Sequence, residues 1–151
     1  MISDTDWMAV ALEQARLAAS LGEVPVGAVV VRNNSPISMA HNRREGDNNP
    51  VAHAEVLAIQ AASAHLGSWR LTDTTLYVTL EPCPMCAGAI LLARIPRVVY
   101  AATDPKAGAV DSLYCLLRDH RLNHRTEVTA GVSWKESREL LQSFFRSRRE
   151  K

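Results

Sequence analysis

Apolar residues follow a helical spacing in the first part of this chain. Within 4–20 they recur every three or four positions, a period that predicts an amphipathic helix. Ser3 or Asp4 can cap the start of this helix, and Gly22 stands where a helix commonly ends.

Short apolar runs between turn-forming residues predict strands in the rest of the chain. The runs 24–31 and 37–40 flank the turn-forming segment 33–36, which predicts a β-hairpin. The same patterns predict, in order, a helix from about 53 to 66, a strand at 76–79, a helix at 83–93, a strand at 97–101, a short helix at 112–117, a strand at about 127–132 and a last helix.

The order of these elements predicts the fold class. Strand, helix and strand across 76–101 form a βαβ unit, so its two strands should be parallel with a right-handed crossover. Residues 133–136 resemble a capping box ahead of the last helix. That helix carries Leu140, Leu141, Phe144 and Phe145 on one face. We expect an α/β protein with three α/β/α layers around a central mixed five-stranded sheet.

Composition sets limits on the organisation of the chain. With 151 residues, 47% of them hydrophobic, the chain is long enough for one domain, 1–151, and its core. No apolar run approaches the roughly 20 residues of a membrane span, and no basic segment precedes a hydrophobic one at the N-terminus. Three cysteines do not make a disulfide framework, so we expect a cytoplasmic location.

Charge is distributed unevenly along the chain. Residues 1–93 carry a net charge of −4, whereas residues 94–151 carry +5. Such an asymmetry indicates a polyanionic partner, although a run of charges is also typical of a solvated face.

Candidate metal ligands stand at Cys83, Cys86 and the distant His53. Three such ligands are the number that catalytic zinc sites use when a fourth position stays open for water. Pro82 and Pro84 are tolerated only in the first turn of a helix, so Cys83 should lie at a helix N-terminus. Free N–H groups there favour the thiolate. The alternatives are a closed zinc knuckle, which requires a fourth ligand, or cysteines that are simply buried in the core.

Glu55 follows the candidate ligand His53 by two positions, at the start of a predicted helix. Beside an open metal position, its carboxylate could take a proton from an activated water. The alternative is an ordinary acid in the first turn of a helix, which the helix dipole favours.

These motifs resemble a known enzyme family. His53-Ala54-Glu55 with Pro82-Cys83-Pro84-Met85-Cys86 is similar to the zinc-dependent cytidine deaminase superfamily. Further segments resemble the bacterial tRNA-specific adenosine deaminases over nearly the whole chain, from about residue 7 to residue 149. They are Glu23-Val24-Pro25-Val26-Gly27-Ala28, Asn42 with Arg44, Leu76-Tyr77-Val78-Thr79-Leu80-Glu81, Asp104-Pro105-Lys106-Ala107-Gly108-Ala109, Asn123-His124 and Phe144-Phe145-Arg146.

The resemblance implies a cytidine deaminase-like fold, one Zn²⁺ per chain and hydrolytic deamination of adenosine to inosine. The substrate would be the wobble adenosine of a tRNA anticodon stem-loop, of the arginine ACG type. Glu55 would be catalytic, and His53, Cys83 and Cys86 would hold the metal. The enzyme would be a homodimer whose two subunits both help to form the anticodon-loop site. The substrate-binding residues would be Asn42, Ala54, Asp104, Lys106, Phe145, Arg146 and Arg148.

Several of these residues also have a structural interpretation. Asn42 can contact a purine edge or satisfy its own turn. The basic residues near the C-terminus can neutralise RNA phosphates or complement a helix end, and the resemblance favours RNA. His124 can serve the site or anchor its loop. Cys115 should be a small core residue in an apolar helix. The C-terminal basic residues are Arg146, Arg148, Arg149 and Lys151.

Two places depart from the family pattern, and two other functions remain open. Asn49 and Val51, on either side of Pro50, and Val110-Asp111 differ from the residues usual in the family, in regions expected to shape the substrate mouth. Guanine, cytosine or nucleotide deaminases share the metal motifs. A non-catalytic RNA-binding partner subunit that keeps zinc is the other alternative, but it would be expected to lose Glu55, which is present.

Overall fold

The structure is a computed structural model that describes residues 1–149. Helices and strands alternate along much of the described chain, as the hydrophobic pattern predicts. They are α1 (Asp4–Ser20), β1 (Gly27–Arg32), β2 (Ser35–His41), α2 (Ala54–Leu66), β3 (Thr74–Leu80), α3 (Pro84–Leu92), β4 (Arg97–Ala102), β5 (Glu127–Ala130) and α4 (Trp134–Arg149).

The five strands form one mixed sheet in the order β2-β1-β3-β4-β5. Strand β1 is antiparallel to β2 and to β3, whereas β3, β4 and β5 run parallel to one another. The prediction of a mixed five-stranded sheet is therefore confirmed. Because β3 and β4 are parallel, their carboxyl ends meet at one edge of the sheet, and both α3 and the segment after β4 begin there.

Alternate residues of the strands face opposite layers of helices. Ala28 and Val30 belong to a buried cluster with residues of α2 and α3. Val29, Tyr77 and Val99 belong to a second cluster with residues of α1. Helix α4 contacts β4 and α1, so it lies in the same layer as α1. This arrangement confirms the three-layer α/β/α fold. Among the helices of residues 1–149, none has the length and apolarity that a membrane span requires.

The hairpin turn is shorter than the sequence pattern predicts. Asn33 and Asn34 take positive φ angles of 51° and 58°, the backbone that a two-residue turn of a right-handed hairpin requires. Ser35 and Pro36, predicted as part of the turn, already belong to β2. Pro36 is tolerated because β2 is an edge strand and the register shifts beside it, between Val30 and Val31.

The predicted short helix at 112–117 is wrong, because this segment consists of turns and irregular backbone. Its N–H groups are engaged elsewhere: Ser112 donates to the Glu81 carboxylate, and Leu116 donates to the carbonyl of Ala109. In a helix starting at 112, the Leu116 N–H would instead bond to the carbonyl of Ser112, four residues back, whereas the N–H of Ser112, in the first turn, would have no partner within the helix. The prediction that Cys115 is a small core residue is also wrong, since Cys115 is exposed.

Helix α4 begins and packs differently from the prediction. Ser133 has a φ of 58°, whereas the first residue of a capping box has an extended backbone, so the predicted capping box is wrong. Leu140, Leu141 and Phe144 are half-buried. Phe145 is 45% exposed, although its ring packs edge-on against Phe144 with centroids 5.4 Å apart.

Helix α1 approaches the sheet so closely that one glycine is required. A Cβ atom at Gly27 would lie 2.0 Å from the carbonyl oxygen of Ala11 and 2.6 Å from the backbone nitrogen of Ala15. These are backbone atoms, so no side-chain rotation relieves the overlap. The absence of a side chain at Gly27 therefore sets the distance between α1 and β1.

We expect Gly27→Ala to reduce the free energy of unfolding by about 3 kcal/mol or more, because overpacking here moves a whole helix. The matched control is Gly88→Ala within α3, where a Cβ would meet no atom of the described residues within 4 Å. That control should be stabilising by up to about 1 kcal/mol, since alanine favours a helix interior. Thermal unfolding of both variants measures the difference in stability. Equal unfolding midpoints would contradict the close approach of α1 to β1 at Gly27.

Candidate metal centre and active site

Two helix N-termini bring the three candidate ligands together. His53 is the N-cap residue of α2 and Cys83 the N-cap residue of α3, both with extended backbone. Cys86 follows one turn into α3 and is buried. The Nδ1 atom of His53 lies 3.6 Å from Cys83 Sγ and 3.5 Å from Cys86 Sγ. The ligand atoms of all three residues lie within 4.8 Å of one another.

The local sequence explains this placement. Pro84 is the first residue of α3, where its fixed φ suits the helix and its missing N–H costs no hydrogen bond. Cys83 therefore stands just outside the helix, and Cys86, three residues later, projects from the same side. The prediction that Cys83 lies at a helix N-terminus is confirmed.

The distances between the ligand atoms fit a tetrahedral metal ion. Zinc bonds of about 2.3 Å to sulfur and about 2.0–2.1 Å to nitrogen, at a tetrahedral angle, place the two atoms about 3.6 Å apart. The observed separations are 3.5 and 3.6 Å. His53, Cys83 and Cys86 can thus hold one metal ion, and a set of one nitrogen and two sulfur atoms is typical of zinc.

Hydrogen bonding within the ligand set favours the charged forms of two members. The hydrogen bond from Cys86, together with that from His53, lowers the pKa of Cys83 to about 4, although burial opposes this shift. The hydrogen bond with Cys83 raises the pKa of His53. Because a metal binds the thiolate, the ionised Cys83 is prepared for coordination.

Glu55 is buried beside the ligands. It lies in the first turn of α2 and is only 4% exposed. Burial raises its pKa to about 7. A carboxyl group that titrates near neutrality can accept a proton and return it within one reaction cycle. This environment fits a proton carrier better than a solvent-exposed acid that only complements the helix dipole.

A cavity of about 210 Å³ opens over Glu55 and two of the candidate ligands, His53 and Cys83. Its lining includes three predicted substrate residues, Asn42, Ala54 and Asp104. Asn42 is 7% exposed, and within residues 1–149 its amide makes two long contacts, 3.4 Å to the Val24 carbonyl and 3.4 Å from the Arg44 N–H. Its amide can therefore exchange these weak contacts for stronger ones to a ligand.

A larger groove of about 1060 Å³ adjoins this cavity. The two share the lining residues Val24, Leu80, Asp104 and Ala107. The groove is also lined by the remaining predicted substrate residues, Lys106, Phe145, Arg146 and Arg148. The structure thus places every predicted substrate residue on one of two adjoining cavities, and their contact with substrate stays a prediction.

The three arginines at the end of α4 differ in their surroundings. Arg148 donates a hydrogen bond to the carbonyl of Gly22, and its guanidinium lies 5.0 Å from the centroid of the Phe144 ring. Arg148 therefore ties the end of α4 to the loop after α1. Arg146 and Arg149 also line the groove. Lys151, which the sequence groups with them, lies outside the described residues.

Comparisons with known proteins place the chain in a family. The family model described as MafB19-like deaminase matches residues 2–149. The tRNA-specific adenosine deaminase of Bacillus subtilis (strain 168) is 49% identical over 151 residues, covering 100% of this chain and 94% of that protein. The corresponding protein of Streptococcus pyogenes serotype M1 is 49% identical over 147 residues, covering 97% of this chain and 86% of that protein. This chain belongs to the tRNA-specific adenosine deaminase family.

Solved structures agree with this assignment. A structure from a study of A-to-I editing by tRNA:A34 deaminases at the wobble position of transfer RNA has a TM-score of 0.87 and 44% sequence identity, covering 91% of this chain and 99% of that one. The guanine deaminase from Nitrosomonas europaea has a TM-score of 0.83 at 23% identity, a likeness of fold alone. The predicted family and the prediction that this protein is an enzyme are confirmed.

Two buried carboxylates organise the loops around the site of this tRNA-specific adenosine deaminase family member. Glu81 accepts hydrogen bonds from backbone N–H groups of the loop after β4. Glu23 accepts hydrogen bonds from the N–H groups of Glu45 and Gly46, at 3.0 and 2.7 Å. The sequence pattern assigns neither acid a function, although both stand in segments that carry the family resemblance, each near a buried strand.

Other residues of the family pattern have structural contacts. The ring of His124 donates from Nε2 to the carbonyl of Ile95 at 2.8 Å, so it anchors its loop. Val110, a departure from the family pattern, is buried in the core. Asp111, the other departure, accepts a hydrogen bond from Tyr100 and pairs with Arg118. Neither Val110 nor Asp111 is among the residues that line the cavity or the groove.

We expect purified protein to carry about one zinc ion per chain, and Cys86→Ser to carry far less, because the loss of a thiolate ligand opens the site. Cys115→Ser is the matched control, since Cys115 is exposed and outside the ligand set. Elemental analysis of the three proteins after gel filtration measures the metal. Equal zinc in Cys86→Ser and the unchanged protein would remove Cys86 from the metal site.

Proposed function

We propose that this protein is a zinc-dependent tRNA deaminase that converts the wobble adenosine of an arginine tRNA with the anticodon ACG to inosine. The single observation that carries the proposal is the buried Glu55 beside a three-ligand metal site, at the base of a cavity that adjoins a groove lined by basic residues. When bound, zinc would supply an activated water for attack on C6 of adenine.

Glu55 would move the protons of this hydrolysis. Its carboxylate takes one proton from the attacking water and delivers it to N1 of adenine. The same group then takes the remaining proton from the hydroxyl formed on C6 and transfers it to the amino nitrogen on C6. One C–O bond forms, one C–N bond breaks, and one water is consumed as ammonia leaves. A pKa of about 7 suits both transfers, because the group can then hold or release the proton near neutral pH.

The size of the cavity supports a single extruded base as the reacting group. The cavity of about 210 Å³ is smaller than the roughly 300–1,000 Å³ that pockets for drug-sized ligands occupy. Chemistry at C6 is impossible within a stacked duplex, whereas an anticodon loop presents unpaired bases that can be turned outward at little cost. Asn42 would contact the edge of the base, as an amide can both donate and accept.

The larger groove would hold the nucleotides that flank the reacting base. Lys106, Arg146 and Arg149 line it and would neutralise phosphates. Phe145 is exposed there, so its ring is available for stacking on a base. Arg148 would act mainly by holding α4 against the loop at Gly22.

We propose the remaining properties from the family resemblance and from the composition. Residues 1–151 form one deaminase domain, and two copies associate as a homodimer whose subunits both contribute to the anticodon-loop site. The three unpaired cysteines fit a reducing compartment, the cytoplasm.

We expect the unchanged protein to convert the wobble adenosine of an arginine anticodon stem-loop, and Glu55→Gln to be slower by a factor of about 10² or more, because the amide cannot transfer the protons. Sequencing of the RNA after incubation measures the conversion, since inosine is read as guanosine. Zinc content should be unchanged in Glu55→Gln, and Glu13→Gln, the same change at an exposed position of α1, should be fully active.

Two results would contradict the proposal in different ways. Turnover by Glu55→Gln close to that of the unchanged protein would remove Glu55 from the reaction. An unconverted stem-loop, together with ammonia release from free guanine or cytosine, would favour a free-base deaminase of the same superfamily.

We expect the double substitution Arg146→Gln with Arg149→Gln to weaken stem-loop binding and to reduce the slope of log affinity against log salt concentration by about one or more, because phosphate contacts are lost. Arg16→Gln, at an exposed position of α1, is the control and should leave the slope unchanged. Fluorescence anisotropy at several salt concentrations measures the slope. An unchanged slope in the double variant would place the RNA away from this groove.

A further inference from the structure

Glu81 connects the metal-binding segment to the loop at 104–112. It stands directly after β3 and two residues before the ligand Cys83. Its side chain is almost fully buried, at 2% exposure. A buried carboxylate is costly unless hydrogen bonds compensate its charge, and here these bonds come from the loop.

The loop encloses the carboxylate with backbone N–H groups. Glu81 Oε2 accepts from the N–H groups of Val110, Asp111 and Ser112, at 3.1, 2.8 and 2.9 Å. Glu81 Oε1 accepts from the N–H of Asp104 at 3.0 Å and from the hydroxyl of Ser112. Such a concave set of N–H groups is a typical anion-binding arrangement, occupied here by a side chain of the same chain.

Gly108 makes this enclosure possible. A Cβ atom at Gly108 would lie between 2.3 and 2.5 Å from the three carboxyl atoms of Glu81. The backbone of the loop therefore rests directly on the carboxylate. The next residue, Ala109, donates its N–H to the carbonyl of Pro82 at 2.8 Å, so the loop is attached to the metal-binding segment at two adjacent points.

The other side of the same loop faces the candidate substrate site. Asp104 and Ala107 line both the cavity and the groove, and Lys106 lines the groove. Asp104 also accepts from the N–H groups of Lys106 and Ala107, at 3.1 and 3.2 Å. A shift of the loop away from Glu81 would therefore move the wall that the cavity and the groove share.

We propose that Glu81 is a positioning residue of this deaminase, whose buried carboxylate holds the 104–112 loop at the distance from Cys83 that the substrate base and its neighbouring nucleotides require. This inference rests on the proposed function. Glu81 is itself among the residues that line the cavity, but its carboxylate oxygens are engaged by the loop, so it acts through Asp104, Lys106 and Ala107.

Both oxygens of the Glu81 carboxylate are needed to hold the 104–112 loop. In Glu81→Gln the side chain keeps its size, but one oxygen becomes an NH₂ group that donates. In either orientation of the amide, at least one backbone N–H of the loop faces a donor and loses its partner. The substitution therefore tests the acceptor chemistry without creating a cavity.

Hydrogen–deuterium exchange of the zinc-loaded protein tests the anchoring without any substrate. We expect Glu81→Gln to accelerate exchange in the 104–112 loop by about tenfold or more, while exchange in β1 and α1 stays unchanged. Glu13→Gln is the matched control. Unchanged exchange in the loop would overturn the proposal.

Steady-state kinetics on the anticodon stem-loop test the consequence for the substrate. We expect KM to rise about tenfold in Glu81→Gln, as for the loss of a hydrogen bond to a charged group, while kcat and zinc content change much less. A lower kcat with an unchanged KM, or a loss of zinc, would contradict the proposal that Glu81 positions substrate-binding groups. If the unchanged protein fails to convert the stem-loop while exchange responds as expected, the proposed function fails and the anchoring of the loop stands.

Gly108→Ala provides an independent variant of the same contact. It should raise KM and loop exchange as Glu81→Gln does, because its methyl group displaces the loop from the carboxylate. The double variant should be little worse than either single one, since both remove the same contacts. Additive effects on KM would show that the two residues act separately and would contradict the proposal.

Discussion

The convergence of two helix N-termini on one point is the constraint on which the site depends. His53 begins α2 and Cys83 begins α3, and the ligand atoms of the two helices lie within 4.8 Å of one another. Strand β3 leads directly into the α3 start, and α2 packs on the same face of the sheet as α3. Any change in the sheet that separated these helices would separate the candidate metal ligands.

Three buried acids, Glu55, Glu81 and Glu23, are stabilised in different ways. Burial raises the pKa of Glu55 to about 7, which suits a group that carries protons. Glu81, by contrast, has a lowered pKa: burial acts against ionisation, but hydrogen bonds from Ser112 and from backbone N–H groups outweigh it. Glu23 likewise accepts from backbone N–H groups, of the loop after β2. Two of these acids thus organise loops, whereas the third, Glu55, is the group to which we assign proton transfer.

The sequence-based predictions succeeded where the deciding interactions join residues close in the sequence. They failed where those interactions join residues far apart in the sequence. Helix α1 was predicted with its observed bounds because capping and apolar spacing act over a few residues. The position of Cys83 at a helix start followed from its two proline neighbours, Pro82 and Pro84. The helix predicted at 112–117 failed because the Leu116 N–H bonds to the carbonyl of Ala109 rather than to the carbonyl four residues back, while Ser112 bonds to Glu81, some thirty residues away. Local propensity carries no information on such a partner.

The sequence by itself determined the type of site and the family: one histidine, two cysteines and an acid, in a spacing that local helix and proline geometry places at two helix starts. Only the tertiary structure decided what surrounds them. It placed Arg148 against Gly22 and exposed Cys115. It also brought the 104–112 loop onto the carboxylate of Glu81. The physical reason is that ligand identity and helix ends depend on neighbouring residues, whereas burial and loop position depend on segments that meet only when the sheet has formed.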